Sequence, residues 1–193
     1  MRVNDFFDKV VVINLDRRTD RMEKLVPQLE KLGIEYERFS AIDAKEIDVK
    51  PYVAGTMSHV AVWKKYLGQK VLILEDDALF CENFNEKFAE VMQTLPEDWR
   101  IFYLGVLLPK HTGKVENIGN PHWFKQVMST GAQAYCIKPD EMWKLCIELE
   151  DYDWYIDIGL RLNTEGYAYI TQPNLVTQFP SYSDLREQEV DDF

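Results

Sequence analysis

The feature that most constrains this chain is a run of four apolar residues leading directly into three consecutive carboxylates, Val71-Leu-Ile-Leu-Glu-Asp-Asp77. An uninterrupted apolar run of this length is typical of a strand buried on both faces of a parallel sheet. Open α/β sheets bind ligands at the carboxyl ends of such strands. Adjacent acids repel one another there, so Glu75-Asp76-Asp77 favours a site for a divalent cation, Mg²⁺ or Mn²⁺. A solvated acidic loop is the alternative that the triplet alone leaves open.

Composition narrows the class of protein. The 193 residues, 46% hydrophobic and 28% charged, favour one folded domain, and the formal net charge of -11 argues against nucleic acid or an anionic membrane surface as a general partner. Three cysteines without CxxC spacing indicate free thiols in a reducing compartment. No transmembrane segment of about 20 apolar residues and no signal peptide is recognisable. We therefore expect a cytoplasmic protein, at most peripheral to a membrane.

Strand-like and helical patterns alternate along the chain. Predicted strands are Lys9–Leu15, Ile34–Phe39, the organising strand from Val71, Trp99–Gly105 and Tyr167–Ile170, with strand pairing around Gly131 between Gln126 and Lys138. Predicted helices run from Thr19 to Gly33, from Thr56 to Leu67, from Phe84 to Leu95, from Pro139 to Leu149 and from Ile158 to Asn163. The alternation predicts an α/β fold with a mostly parallel sheet flanked by helices and a mixed, loop-rich C-terminal part.

Several segments interrupt this pattern. Pro27 predicts that the first long helix either starts late or kinks. Residues 44–55 are interpreted as a surface excursion because they contain Pro51 and Gly55. Residues 107–125 lose periodicity and are interpreted as a long loop, either a lid or a binding loop, whose two histidines are expected to be solvated.

Three polar clusters are expected at one edge of the sheet because each follows a strand: Asn14 to Arg18, Ser40 to Asp43, and Glu75 to Asp77. The P-loop pattern and the GxGxxG fingerprint are absent from the sequence. A phosphate would therefore be held by metal and arginine. That combination suits a nucleotide diphosphate whose charge is shared with Mn²⁺ or Mg²⁺.

An ordered set of motifs resembles glycosyltransferase family 25, a group that includes lipopolysaccharide-biosynthesis and collagen galactosyltransferases. The resemblance covers about residues 10 to 187. Its motifs are Val12-Ile-Asn-Leu-Asp-Arg-Arg18, Phe39-Ser-Ala-Ile-Asp43, Gly55-Thr-Met-Ser-His59, Leu72-Ile-Leu-Glu-Asp-Asp77, Leu95-Pro-Glu-Asp-Trp-Arg-Ile-Phe-Tyr-Leu-Gly105, Thr130-Gly-Ala-Gln-Ala-Tyr135, Ile156-Asp157 and Pro173-Asn-Leu-Val-Thr-Gln178 with Ser183-Asp184.

The resemblance implies a single GT-A-like, Rossmann-like glycosyltransferase domain over residues 1–193, with a nucleotide-sugar-binding half at about 1–106 and an acceptor half at about 107–193. It implies a metal-dependent, inverting hexosyltransferase whose donor is a UDP-sugar, most often UDP-galactose, and whose acceptor is a glycan or another hydroxyl-bearing molecule. A catalytically inactive domain of the same fold, used in carbohydrate binding or assembly, is the rival interpretation.

The resemblance also assigns roles to the acids. Asp77 would bind the metal, and Glu75 or Asp76 would contact the metal or the ribose. Since no histidine follows His122, a further ligand would be water, Gln178 or absent. Asp157 would be the catalytic base, with a helix N-cap as an equally weighted alternative. Asp153 is the reserve candidate for the base; the alternative is that it is a solvated acid in a loop.

The remaining assignments each have a structural alternative. Arg17, Arg18 and Arg21 either grip phosphate or form ion pairs with nearby acids, with Arg17 favoured as the ligand contact. Asn14 and Asp43 are expected to meet the uridine, against turn chemistry at strand ends. Ser58 and His59 are expected to contact the donor; the alternatives are that Ser58 caps the helix and that His59 is a packed residue. Gln178 and Asp184 are expected beside the acceptor.

Overall fold

The computed structural model describes residues 1–108, 113–149, 151, 154–184 and 188–190. Its strands in chain order are β1 (Lys9–Asn14), β2 (Glu37–Ser40), β3 (Val71–Glu75), β4 (Ala78–Phe80), β5 (Ile101–Leu107), β6 (Lys114–Asn117), β7 (Trp123–Met128), β8 (Thr130–Ile137), β9 (Ala168–Thr171), β10 (Val176–Gln178), β11 (Ser181–Ser183) and β12 (Gln188–Val190). Its helices are α1 (Val3–Phe6), α2 (Thr19–Leu32), α3 (Ala44–Ile47), α4 (Pro51–Lys65), α5 (Phe84–Met92), α6 (Pro139–Glu148) and α7 (Ile156–Asn163).

Eight strands form one sheet in the order β2-β1-β3-β8-β5-β9-β7-β6. Strands β1, β2 and β3 are mutually parallel, and β5 is parallel to β9. Strand β8 runs antiparallel between β3 and β5, and β7 runs antiparallel to both of its neighbours. The predicted α/β class with a mostly parallel sheet is confirmed.

The side chains of each buried strand point alternately into two cores, one on each face of the sheet. In β1, Val10 and Val12 join the core that also contains Leu25 of α2 and Phe88 of α5. The next residue along, Val11, joins the core on the opposite face of the sheet. That second core is completed by residues of three helices, Trp63 of α4, Leu145 of α6 and Leu160 of α7. The molecule is therefore a three-layer α/β/α structure, because a strand places successive side chains on opposite faces.

Two helix predictions require correction. The segment interpreted as a surface excursion contains α3 and the start of α4, which begins at Pro51 rather than Thr56. Proline fits this first helical position because its missing N–H would have no partner in the helix anyway. Helix α2 begins at Thr19, so Pro27 does not delay it, and it ends as predicted at Gly33, whose φ of 66° is left-handed.

The second half also departs from expectation. Much of the predicted 107–125 loop is a hairpin at the sheet edge, because β6 pairs antiparallel with β7, while residues 109–112 lie outside the described part of the chain. The predicted pairing around Gly131 is wrong. Strand β8 pairs with β3 and β5, whereas β7 pairs with β9 and β6. Local sequence cannot reveal this insertion, since it depends on residues far apart along the chain.

The segment after β9 returns over the sheet. Strand β10 pairs antiparallel with β4, the strand that directly follows the acid triplet. Leu175 donates its N–H to the carbonyl of Leu104 at 2.7 Å. Gly105 permits this approach, because a Cβ there would lie 1.8 Å from the carbonyl oxygen of Val176. The return brings Gln178 beside the acids.

Candidate active site

A cleft of about 970 Å³ opens at one edge of the eight-stranded sheet. The parallel strands β1, β2, β3, β5 and β9 all end at this edge, and the antiparallel strand β8 begins there. Strand-end residues lining the cleft include Ile13, Ala41, Glu75, Leu107 and Gly131. The predicted convergence of loops at the carboxyl edge is therefore present.

Most of the predicted site residues line this cleft. They are Arg17, Arg21, Asp43, Ser58, His59, Glu75, Asp76, Asp77, Asp157, Gln178 and Asp184. Asn14 is buried and is not among the lining residues. Asp153 lies outside the residues that the structure describes.

Asp76 serves the scaffold around the site. One carboxylate oxygen accepts a hydrogen bond of 2.7 Å from Asn14 Nδ2, and the other accepts from Arg21. Burial raises the pKa of Asp76, while the Arg21 guanidinium opposes that rise. Asn14 Nδ2 also donates to the Arg18 carbonyl at 3.1 Å, and Asn14 Oδ1 accepts a 2.8 Å hydrogen bond from Arg38 Nε, so this amide joins β1, β2 and the acid turn. The uridine contact predicted for Asn14 stays a prediction.

Glu75 and Asp77 share a neighbour. The amide Nε2 of Gln178 lies 3.4 Å from a carboxylate oxygen of each residue. Arg21 lies 3.3 Å from the other oxygen of Asp77. Burial raises the pKa of Asp77 to about 7, and the neighbouring Glu75 carboxylate adds to that rise while Arg21 opposes it. Asp77 is thus a buried acid whose negative charge is only partly compensated by Arg21.

The donor set fits a hard divalent cation that takes most of its ligands from a substrate. Glu75 and Asp77 supply carboxylate oxygens, and the positive charge of Arg21 is smaller than the combined negative charge of the three acids. Among the described residues, no group of three or more His, Cys, Asp or Glu side chains forms a complete metal cage. Mg²⁺ and Mn²⁺ are commonly held by one or two carboxylates together with substrate phosphates, which is the arrangement that these residues could provide.

The arginines of the first loop form ion pairs. Arg17 contacts Asp43 at 2.7 Å and Asp184 at 2.6 Å. Arg18 contacts Asp20 at 2.9 Å and also pairs with Asp184. The ion pairs expected as the alternative are therefore present, and phosphate binding by Arg17 remains a prediction.

Asp43 and Ser58 shape the wall beside these arginines. Asp43 caps α3 by accepting from the N–H of Lys45 at 3.0 Å, and its pKa is lowered by Arg17 and by that N–H. Ser58 lies inside α4 rather than at its cap, where its hydroxyl accepts from the Ile42 N–H at 2.9 Å and donates to the Ala54 carbonyl. Ser58 therefore holds the loop after β2 against α4, whereas Asp43 joins the start of α3 to Arg17.

Asp157 lies on the wall formed by β8 and α7. The N-cap of α7 is Tyr155, so the N-cap alternative for Asp157 is wrong and the residue belongs to the first turn. Its carboxylate accepts hydrogen bonds from the backbone N–H of Gly131 at 3.0 Å and from that of Ile158 at 2.9 Å. Each oxygen retains a lone pair for a ligand.

Sequence reasoning missed two features of the cleft. A buried polar network joins His59 of α4 to Tyr135 of β8 and to Glu75. At the rim, the rings of Tyr52 and Tyr155 stack with centroids 4.8 Å apart. The motif containing Tyr135 was a signal for the first feature, but its partner could not be identified without the strand order. Nothing in the sequence indicates the second pair.

Comparisons with known proteins match most of the chain to one family. The model of glycosyltransferase family 25, described as an LPS biosynthesis protein, matches residues 7–54 and 50–159. Procollagen galactosyltransferase 2 of Homo sapiens is 27% identical over 129 residues, covering 51% of this chain and 21% of that protein. Inactive glycosyltransferase 25 family member 3 of Homo sapiens is 26% identical over 129 residues, covering 51% and 22%. The chain thus spans about a fifth of the length of these curated relatives.

One solved structure matches most of the chain. It is a glycosyltransferase involved in the glycosylation of the major capsid of PBCV-1, with a TM-score of 0.50, 9% identity, and coverage of 84% of this chain and 80% of that one. At this identity the likeness shows the fold, a GT-A-like α/β architecture. Within the described residues, no helix has the length and apolar character needed to cross a membrane.

Proposed function

Because the chain belongs to glycosyltransferase family 25, we propose that it transfers galactose from UDP-galactose to a hydroxyl group of a glycan or other acceptor, with inversion at the anomeric carbon. One observation carries the proposal. A single cleft contains an undercompensated acid pair, Glu75 and Asp77, and a separately positioned carboxylate, Asp157. Such a cleft can hold a leaving group and accept a proton at different places.

Glu75 and Asp77 would face the donor diphosphate. When bound, Mn²⁺ or Mg²⁺ would supply positive charge that stabilises the departing UDP. Arg21 contributes further positive charge beside Asp77, and Gln178 Nε2 contacts one oxygen of each carboxylate. The acids are thus oriented before the donor arrives, which limits reorganisation during the reaction.

Asp157 would serve the acceptor. Its two backbone hydrogen bonds fix the carboxylate on the β8 side of the cleft. The acceptor oxygen forms a bond to the anomeric carbon while the bond from that carbon to the UDP oxygen breaks, and the acceptor proton passes to Asp157. The electron pair of the broken bond leaves with UDP.

The dimensions and the relatives support the donor assignment. A volume of about 970 Å³ lies at the upper end of typical small-molecule sites, as expected for a cleft that holds a nucleotide-sugar and part of an acceptor. Galactose is favoured because a matching relative is named procollagen galactosyltransferase 2. A cytoplasmic location remains part of this proposal.

Thermal shift measurements with UDP and Mn²⁺, separately and together, test the donor site. We expect the two together to raise Tm more than the sum of their separate effects, because a cation shared between the acids and the diphosphate makes each ligand bind more tightly in the presence of the other. Screening UDP-sugars for Mn²⁺-dependent hydrolysis then identifies the sugar without knowledge of the acceptor. No shift in any combination would count against the donor site.

The second candidate is a domain that binds carbohydrate without turnover. It is favoured by the match to a relative named as inactive, which covers about the same share of this chain as the galactosyltransferase does. The presence of Glu75, Asp76 and Asp77 favours the enzyme. Metal-dependent binding of UDP without hydrolysis or transfer of any tested UDP-sugar would support the binding domain.

A further inference from the structure

A continuous line of buried polar contacts runs from α4 through β8 to the acid triplet. Trp63 Nε1 donates to the hydroxyl of Tyr135 at 3.0 Å. That hydroxyl lies 2.7 Å from His59 Nδ1, and His59 Nε2 lies 3.6 Å from Glu75 Oε1. Trp63 and Tyr135 are fully buried and His59 is 4% exposed. These groups cannot exchange their partners readily for bulk water.

The donors and acceptors in this line permit one well-satisfied arrangement. The indole of Trp63 can only donate, so the Tyr135 oxygen accepts from it. The Tyr135 proton then finds its acceptor in His59 Nδ1. If Nδ1 carried a proton instead, the Tyr135 proton would lose this acceptor and remain buried without the bond, which is costly. The unprotonated Nδ1 places the imidazole proton on Nε2, the atom that faces Glu75.

Packing holds these groups in register. Tyr135 pairs across the sheet with Ile73, and Glu75 lies two residues further along β3, on the same face as Ile73. The imidazole of His59 stacks against the Tyr135 ring, with centroids 5.7 Å apart and an interplanar angle of 27°. Strand β8 thus places the Tyr135 hydroxyl next to His59, which lies beside Glu75.

We infer that Tyr135 is a positioning residue which, together with Trp63, fixes His59 as the Nε2–H tautomer so that its N–H faces and orients the Glu75 carboxylate. The tautomer follows from the buried contacts alone. Its consequence for metal and donor binding rests on the proposed function. Tyr135 acts through His59, and it is His59 that touches Glu75.

Nitrogen NMR of the imidazole rings tests the tautomer directly. The chain has three histidines, and loss of one set of signals in His59→Gln assigns the relevant ring. Two-bond proton–nitrogen correlations distinguish a protonated Nε2 from a protonated Nδ1. We expect Nε2–H in the parental chain and loss of that fixed pattern in Tyr135→Phe. A parental ring protonated on Nδ1 would overturn the inference.

Tyr103→Phe is a matched control. Tyr103 is the cross-strand partner of Tyr135 on β5 and is also fully buried, but its hydroxyl makes no hydrogen bond to Trp63, Tyr135 or His59. This variant should retain the His59 pattern. Its loss would show that the ring responds to general repacking rather than to the Tyr135 hydroxyl, and would overturn the inference.

Mn²⁺ binding in the presence of UDP, followed by electron paramagnetic resonance, tests the positioning role. We expect Tyr135→Phe to weaken Mn²⁺ affinity by about tenfold, the lower range for losing a residue that orients a metal ligand, and Tyr103→Phe to leave it unchanged. Unchanged affinity in Tyr135→Phe would overturn the positioning role. Failure of the parental chain to bind Mn²⁺ and UDP would refute the proposed function, while the NMR pattern would still decide the tautomer.

Discussion

Gly131 donates its backbone N–H to a carboxylate oxygen of Asp157 at 3.0 Å, joining the start of strand β8 to the first turn of α7. Gly131 has a φ of 89°, in the left-handed region, and a Cβ at this position would lie 2.5 Å from the side-chain oxygen of Gln133. The proposed base is therefore held by a backbone position that other residues adopt only with strain.

Replacing this glycine should disturb both stability and catalysis. We expect Gly131→Ala to lower the free energy of unfolding by about 1–3 kcal/mol, because alanine is strained at this φ, and to lower transfer by displacing the N–H from Asp157. Urea denaturation and transfer assays measure the two effects. Gly166→Ala is the control, since Gly166 has a similar φ of 81° and open space around it. Equal loss of transfer in both variants would contradict a special role for Gly131.

Asp157→Asn should preserve UDP and Mn²⁺ binding and lower the transfer rate by about 10²–10⁴-fold, the usual contribution of a general base. Asp140→Asn is a matched control, because Asp140 is an exposed acid in the first turn of α6, where its loss removes a similar helix-terminal charge. Steady-state kinetics distinguish the two. A parental rate in Asp157→Asn would show that Asp157 is not the base.

Asp77 should make the metal-free chain less stable as pH rises. Its folded-state pKa of about 7 exceeds the usual value of 3.8, so the stability present below about pH 4 is lost between about pH 4 and 7, by at most about 4 kcal/mol. Asp77→Asn removes this ionisation. In urea denaturation with a chelator, the variant should be more stable than the parental chain at about pH 8 and should converge with it near pH 4.

Mn²⁺ with UDP should reverse that order by stabilising the parental chain more than Asp77→Asn, because the bound cation compensates the carboxylate. Asp20→Asn provides a contrast. Arg18 lowers the pKa of this mostly exposed acid to about 2, so its small contribution, about 1 kcal/mol or less, is lost as pH falls. Lower stability of metal-free Asp77→Asn at high pH would contradict the expected cost of the buried charge.

Asp184→Asn should tighten UDP binding by roughly fivefold or less, because it releases Arg17 and Arg18 from a competing carboxylate. Isothermal titration calorimetry in the presence of Mn²⁺ measures the change. Asp16→Asn is the control, since Asp16 pairs with Arg38 and does not line the cleft. Weaker binding in Asp184→Asn would indicate that Asp184 itself supports the bound nucleotide.

The convergence of polar clusters was predictable from sequence. Val71–Glu75 and Lys9–Asn14 are apolar runs followed by polar residues, and parallel strands place such ends at a common edge. The different roles of the three acids, Asp76 in the supporting hydrogen bonds and Glu75 and Asp77 toward the ligand, were not predictable. They depend on Asn14, which is 62 residues from Asp76 along the chain and becomes its neighbour only through the pairing of β1 with β3.

The antiparallel insertion of β8 escaped sequence analysis for a similar reason. The apolar residues of Thr130–Ile137 predict a strand but do not specify its partners or direction. The later start predicted for α4 is wrong for a local reason, because proline breaks a helix in its interior but is accommodated in the first helical turn, where Pro51 lies. The Gly131 contact with Asp157 required knowledge of both the strand direction and the φ of the glycine.

Strand β8 hydrogen-bonds to β3 on one side and to β5 on the other, so one uninterrupted sheet lies beneath both the acid pair and Asp157. A continuous sheet resists bending, because a hinge across it would break hydrogen bonds between neighbouring strands. Movements that admit a donor or release a product should therefore belong to the loops above the sheet. In hydrogen exchange, the amides of β3, β8 and β5 should remain protected during turnover. The exchange rates of amides around Gln178 should instead change when ligand binds.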